Sequence, residues 1–126
     1  MSNEAQSPCL LVVDDSRTSR LMIRKIVESM RPNWRILEAA SGDESLVLTE
    51  EHHPDFVSMD VNMPGISGLE AAGRIRIHHP EIRIVLCTAN VQESVRTAAE
   101  RAGVHFVSKP ITPASIAQAI SYFEES

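Results

Sequence analysis

Apolar and polar positions follow two rhythms along this chain. Largely apolar runs at residues 9–13, 34–39, 56–59, 82–87 and 104–107 are short, the length of strands buried on both faces of a sheet. Between them apolar residues recur at helical spacing, with Met22, Ile26 and Met30 after the first run and Val91, Val95, Ala98 and Ala102 after the fourth. Such spacing places them on one face of a helix. The pattern predicts five strands, each followed by a helix.

Punctuation residues fall where this alternation needs them. Ser41 with Glu44 and Ser67 with Glu70 form the S-x-x-E pattern that satisfies free backbone donors at a helix start. Thr112 followed by Pro113 marks another start. Gly103 closes the fourth helical run and Pro80 the third. Strict alternation with short connections implies an α/β fold: a five-stranded parallel sheet, doubly wound, with helices on both faces and right-handed crossovers. In such sheets the functional crevice lies beyond the carboxyl ends of the strands.

Those strand ends are polar. The first run ends in Asp14 and Asp15, the third in Asp60, the fourth in Thr88 and the fifth in Lys109. Three clustered carboxylates repel one another and call for a compensating cation. Lys109 and a hard divalent ion can supply it, and all-oxygen ligands with room for water suit Mg²⁺. We expect Asp15 and Asp60 as its ligands. A carboxylate nucleophile at Asp60 would form an acyl phosphate, with Mg²⁺, Lys109 and Thr88 neutralising the phosphoryl oxygens.

Composition narrows the picture further. The chain has 126 residues, 43% of them apolar and 23% charged, which suits one folded domain. Residues 1–7 read as an N-terminal tail and 8–126 as the domain. Seventeen acidic against twelve basic residues give a formal charge of -5, so direct nucleic-acid binding is not expected. Without a signal-like start or a long apolar span, no membrane insertion is expected, and the cytoplasm is the expected location. Cys9 and Cys87 sit inside apolar strand-like runs and read as buried, reduced thiols.

The segments LLVVDDSRTSR, SMDVNMPGISGLE, LCTAN and FVSKP resemble the CheY-like receiver domains of two-component response regulators, across residues 9–123. The resemblance implies a flavodoxin-like strand order 2-1-3-4-5 and a stand-alone regulator. It makes Asp60 the phosphoacceptor and Asp15, Asp60 and the backbone carbonyl of Asn62 the Mg²⁺ ligands, with Asp14 acting through water. Lys109 then pairs with the phosphoryl group, and the bond to Pro110 is cis. Thr88 and Phe106 form the switch, with Phe where the family often has Tyr. Ala89 leaves the pocket accessible, and Asn62 and Asn90 tune the lifetime of the phosphorylated state.

The implied phosphodonor is a histidine kinase or a histidine phosphotransfer protein. The implied output is a face formed by helix four, strand five and helix five, which binds a downstream protein target; chemotaxis is one such setting. A monomer is expected, with pairing through helices four and five after phosphorylation left open. No turnover enzyme is expected, only self-phosphorylation and self-dephosphorylation.

Arg17, Arg20, Arg24 and Lys25 give helix one a basic side, either solvated or able to meet an acidic partner. His52, His53, His78 and His79 precede prolines in two adjacent pairs and read as solvated helix ends. A haloacid-dehalogenase-type phosphohydrolase would want a second acid where Asn62 stands. A phosphorylation-independent adaptor would not need Asp60, Thr88 and Lys109 together.

Overall fold

The computed structural model describes residues 7–89 and 92–125. Residues 1–6, Asn90, Val91 and Ser126 lie outside the described residues, as do the side chains of Val95 and Ala102. Five strands alternate with five helices: β1 (Cys9–Val13), α1 (Arg17–Met30), β2 (Arg35–Ala39), α2 (Gly42–His52), β3 (Phe56–Asp60), α3 (Gly68–His78), β4 (Arg83–Thr88), α4 (Glu93–Ala102), β5 (His105–Ser108) and α5 (Pro113–Phe123). The sheet is parallel with order β2-β1-β3-β4-β5, as expected.

Alternate residues of the central strands feed two cores. Leu11, Val13, Val57 and Met59 pack with Ala71, Ala72 and Ile75 of α3 and Ala99 of α4. Leu10, Val12, Val85 and Cys87 pack with Ile23 and Val27 of α1 and Ile116, Ala119 and Ile120 of α5. This two-sided burial explains why the strands read as unbroken apolar runs. Both cysteines are buried and free. No described helix is long and apolar enough to cross a membrane.

Three strands start one residue later than the apolar pattern suggested. Trp34, Ile82 and Val104 bury their side chains, but their N–H groups donate to Arg31, His79 and Ala99 carbonyls in the preceding turns. Side-chain burial and ladder membership part company there, and Trp34 is a core plug ahead of β2 rather than a strand residue.

The caps also differ in detail. Ser41 and Ser67 accept from the N–H groups of Glu44 and Glu70, yet neither glutamate returns the bond: Glu44 reaches Ala40 N–H at 2.7 Å and Glu70 pairs with Arg74. The reciprocal box belongs to α5, where Thr112 and Ser115 each accept the other's backbone N–H.

Candidate functional site

Four strand ends converge at the carboxyl edge of the sheet. Just past β1, the N–H of Ser16 donates to Asp14 Oδ1 at 2.9 Å, while the Ser16 hydroxyl caps α1 by accepting from Ser19 N–H at 3.2 Å. This turn buries the Asp14 side chain and leaves Asp15 exposed. Asp60 closes β3 and is only 6% exposed. Beyond β5, Lys109 follows Ser108 and donates its N–H to the carbonyl of Thr88 at 2.8 Å, which ties the ends of β4 and β5 together. Its peptide bond to Pro110 is cis, as the resemblance implied.

Lys109 Nζ stands 3.5 Å from Asp14 Oδ2 and 3.3 Å from Asp60 Oδ1. Asp14, Asp15 and Asp60 each bring a carboxylate oxygen within 4.8 Å of the others. Burial pushes the Asp60 carboxyl above the ordinary aspartate value; Lys109 opposes this, Asp14 adds to it, and the Asn62 N–H bond to the carboxylate opposes it. Burial would lower the Lys109 ammonium, but Asp14 and Asp60 outweigh it and hold its pKa above the usual lysine value. Three carboxylates against one ammonium leave an excess negative charge that a divalent cation would balance. The donor set is all oxygen, which fits Mg²⁺.

α3 approaches this site closely. A Cβ on Gly68 would lie 1.9 Å from the carbonyl oxygen of Asp60, so only glycine lets the start of α3 rest on that peptide, with Gly68 N–H donating to the Val61 carbonyl at 3.0 Å. Thr88 is buried at 1% exposure. Phe106 is half-buried on β5 opposite Leu86, packed on the α3 and α4 side of the core. The Arg96 guanidinium stands 5.7 Å from its ring centroid, a cation–π distance. An open groove of about 760 Å³ runs along this face, lined by Arg96, Phe106, Lys109, Ser115 and Gln118 among others.

The structure thus brings Asp14, Asp15, Asp60 and Lys109 into direct reach, with Thr88 on the adjoining strand end. Asn62 contributes its N–H to Asp60. Asn90 lies outside the described residues.

Two expectations change. The basic side of α1 is divided: Arg20 and Arg24 turn onto Glu38 of β2, at 2.9 Å each, while Arg17 and Lys25 stay exposed. Among the histidines, His52, His53 and His78 are exposed, but His79 is folded in. Its ring meets Glu50 at 3.1 Å, lies 3.8 Å from Glu81 and packs edge-on to His53 at 5.6 Å.

Sequence reasoning missed the backbone carbonyl of Asp14 as an acceptor for Arg20, and the role of Gly68. The Gly68 contact had a signal, a glycine at the start of a helix just after Asp60. The Arg20 contact had none, because it depends on how β2 lies beside α1.

Known proteins resemble this chain in family and in fold. The family model described as "Response regulator receiver domain" matches residues 10–121. Protein CcdB of Bacillus subtilis is 35% identical, over 89% of this chain and 93% of its own. The chemotaxis protein CheY of Thermotoga maritima is 31% identical over the same shares. The solved structure of Vibrio cholerae CheY4 superposes with a TM-score of 0.83, covering 91% of this chain and 97% of that one at 23% identity, a likeness of fold.

Proposed function

The chain belongs to the response regulator receiver domain family, and we propose that within it Asp60 accepts a phosphoryl group with the help of Mg²⁺. The observation that carries this is the buried Asp60 carboxylate 3.3 Å from Lys109 Nζ, with Asp14 and Asp15 within 4.8 Å. A single receiver domain over residues 8–126 would carry Asp14, Asp15, Asp60, Thr88 and Lys109 together, with the cation and the phosphodonor supplied from outside.

In the forward step an Asp60 oxygen attacks the phosphorus of a phosphohistidine. The new O–P bond forms as the P–N bond breaks, and the imidazole nitrogen leaves with the electron pair. Asp15, Asp60 and the Asn62 carbonyl would hold Mg²⁺, with Asp14 joining through water. When bound, the ion neutralises phosphoryl oxygens and those carboxylates together. Lys109 shifts from pairing with carboxylates to pairing with the phosphoryl group, and Thr88 donates its hydroxyl to another phosphoryl oxygen. Ala89, small and exposed, leaves the approach open. Hydrolysis of the acyl phosphate resets the domain, so the chain catalyses only its own phosphorylation and dephosphorylation.

The phosphodonor is a histidine kinase or histidine phosphotransfer protein in the cytoplasm. Its docking surface is the outer side of α1, where Leu21 and Met22 are 49% and 45% exposed between exposed Arg17 and Lys25. Movement of Thr88 towards the phosphoryl group frees space for Phe106, and the α4, β5 and α5 groove changes its affinity for a protein target. A chemotaxis output is supported by the name of the Thermotoga maritima relative.

Intact mass after incubation with Mg²⁺ and acetyl phosphate tests the reading. A labile phosphoryl-sized gain is expected, absent in Asp60→Asn and absent without metal. No gain in a folded, Mg²⁺-bound protein would favour a phosphorylation-independent adaptor, and sustained phosphate release from unrelated phosphomonoesters would favour a phosphohydrolase.

A further inference from the structure

One side chain outside the acidic cluster reaches its backbone. Arg20 Nη1 donates to the carbonyl oxygen of Asp14 at 2.6 Å, the oxygen of the peptide joining Asp14 to Asp15. The same guanidinium donates through Nε to Glu38 Oε1 at 2.9 Å, and its side chain is only 14% exposed. Glu38 sits on β2, paired with Val12, and its second oxygen accepts from Arg24 Nε at 2.9 Å. Burial would raise the Glu38 carboxyl, but the bonds from Arg20 and Arg24 hold it below the usual glutamate value. Glu38 is therefore a fixed anion to which Arg20 is anchored.

We infer that Arg20, braced by Glu38, is a positioning residue that sets the Asp14–Asp15 peptide and so the placement of both carboxylates around the divalent cation. The inference rests on the metal-assisted reading above. A planar guanidinium can grip a carboxylate with one edge while another nitrogen serves a carbonyl, a geometry an ammonium does not reproduce. Freed from that grip, the turn between β1 and α1 keeps the Ser16 cap and the Asp14 N–H bond to the Ala39 carbonyl at 3.1 Å, but loses the bond that fixes the peptide plane.

Arg24 provides a matched control within the molecule. It pairs with the same Glu38, also ties α1 to β2 through a 3.1 Å bond from Nη2 to the Ile36 carbonyl, and makes no hydrogen bond to Asp14 among the described residues. Removing either arginine breaks one α1–β2 ion pair; only Arg20 removal releases the acidic turn.

The experiment is Mg²⁺ titration by calorimetry on the wild-type chain, Arg20→Ala, Arg20→Lys, Glu38→Ala and Arg24→Ala, with thermal unfolding of each and amide exchange at Asp15 in the metal-free state. Arg20→Ala should bind Mg²⁺ about tenfold more weakly, the lower end for supporting partners of a metal site, and exchange faster at Asp15. Glu38→Ala should fall between it and wild type, Arg20→Lys should not restore affinity, and Arg24→Ala should bind as wild type. Equal weakening by Arg20→Ala and Arg24→Ala, or none by Arg20→Ala, would overturn the positioning role. A wild-type chain that binds no Mg²⁺ would instead overturn the metal-assisted reading, with the Asp15 exchange comparison still deciding whether Arg20 holds the turn.

Discussion

The two ends of the sheet are built from opposite materials. At the amino ends of the strands Trp34, Phe56 and Phe123 form a cluster, with ring centroids 5.0 Å apart for Trp34 and Phe56 and 4.8 Å for Phe56 and Phe123. Tyr122 joins it at 6.1 Å from Phe123. At the carboxyl ends stand Asp14, Asp60, Thr88 and Lys109, all buried or half-buried. Aromatic area drives folding at the first pole. Charge held out of water opposes it at the second. One end of the domain stabilises what the other end destabilises, and substitutions should separate the two.

The largest expected effect is at the aromatic pole. Phe123→Ala should lower unfolding free energy by about 3 to 5 kcal/mol, measured by urea titration followed by circular dichroism, while the folded fraction keeps its rate of phosphoryl uptake. A rate falling in step with stability would mean the two ends are not separable.

Gly68→Ala should come next, at about 2 to 3 kcal/mol, because its Cβ would collide with the Asp60 carbonyl. Unlike the first change it should also slow acyl phosphate formation per folded molecule, read by intact mass against time. An unaltered rate would show that α3 can retreat without moving Asp60.

The smallest effect has the opposite sign. Since the Asp60 pKa is raised in the folded state, ionising Asp60 costs stability, and Asp60→Asn should melt higher than wild type in metal-free buffer at neutral pH, on the order of 3 °C. Below the ordinary aspartate value both states hold the proton and the difference vanishes. It opens as pH rises from there through the raised folded value, and is constant above. Mg²⁺ should close the gap by stabilising wild type alone. A pH-independent difference would point to packing rather than charge.

The same contrast explains what was legible in the sequence. Buried strands announce themselves because both faces are apolar, and the polar ends stand out against them, so the order of elements and the site at Asp14, Asp15, Asp60, Thr88 and Lys109 could be read from the run of residues. Strand starts could not, because Trp34, Ile82 and Val104 are buried by their side chains yet bonded as turns by their backbones. The grip of Arg20 on Asp14 and the contact of His79 with Glu50 join residues 6 and 29 positions apart. Such contacts depend on how helices lie across the sheet, which local periodicity does not encode.

The placement of Trp34 has an optical consequence. It is the chain's one tryptophan, 7% exposed and wedged among rings at the pole opposite Asp60. Its emission is therefore an indicator of whether the domain is folded rather than of events at the carboxyl edge of the sheet. A fluorescent reporter of events around Asp60 has to be installed at the carboxyl edge of the sheet, where the chain has no indole of its own.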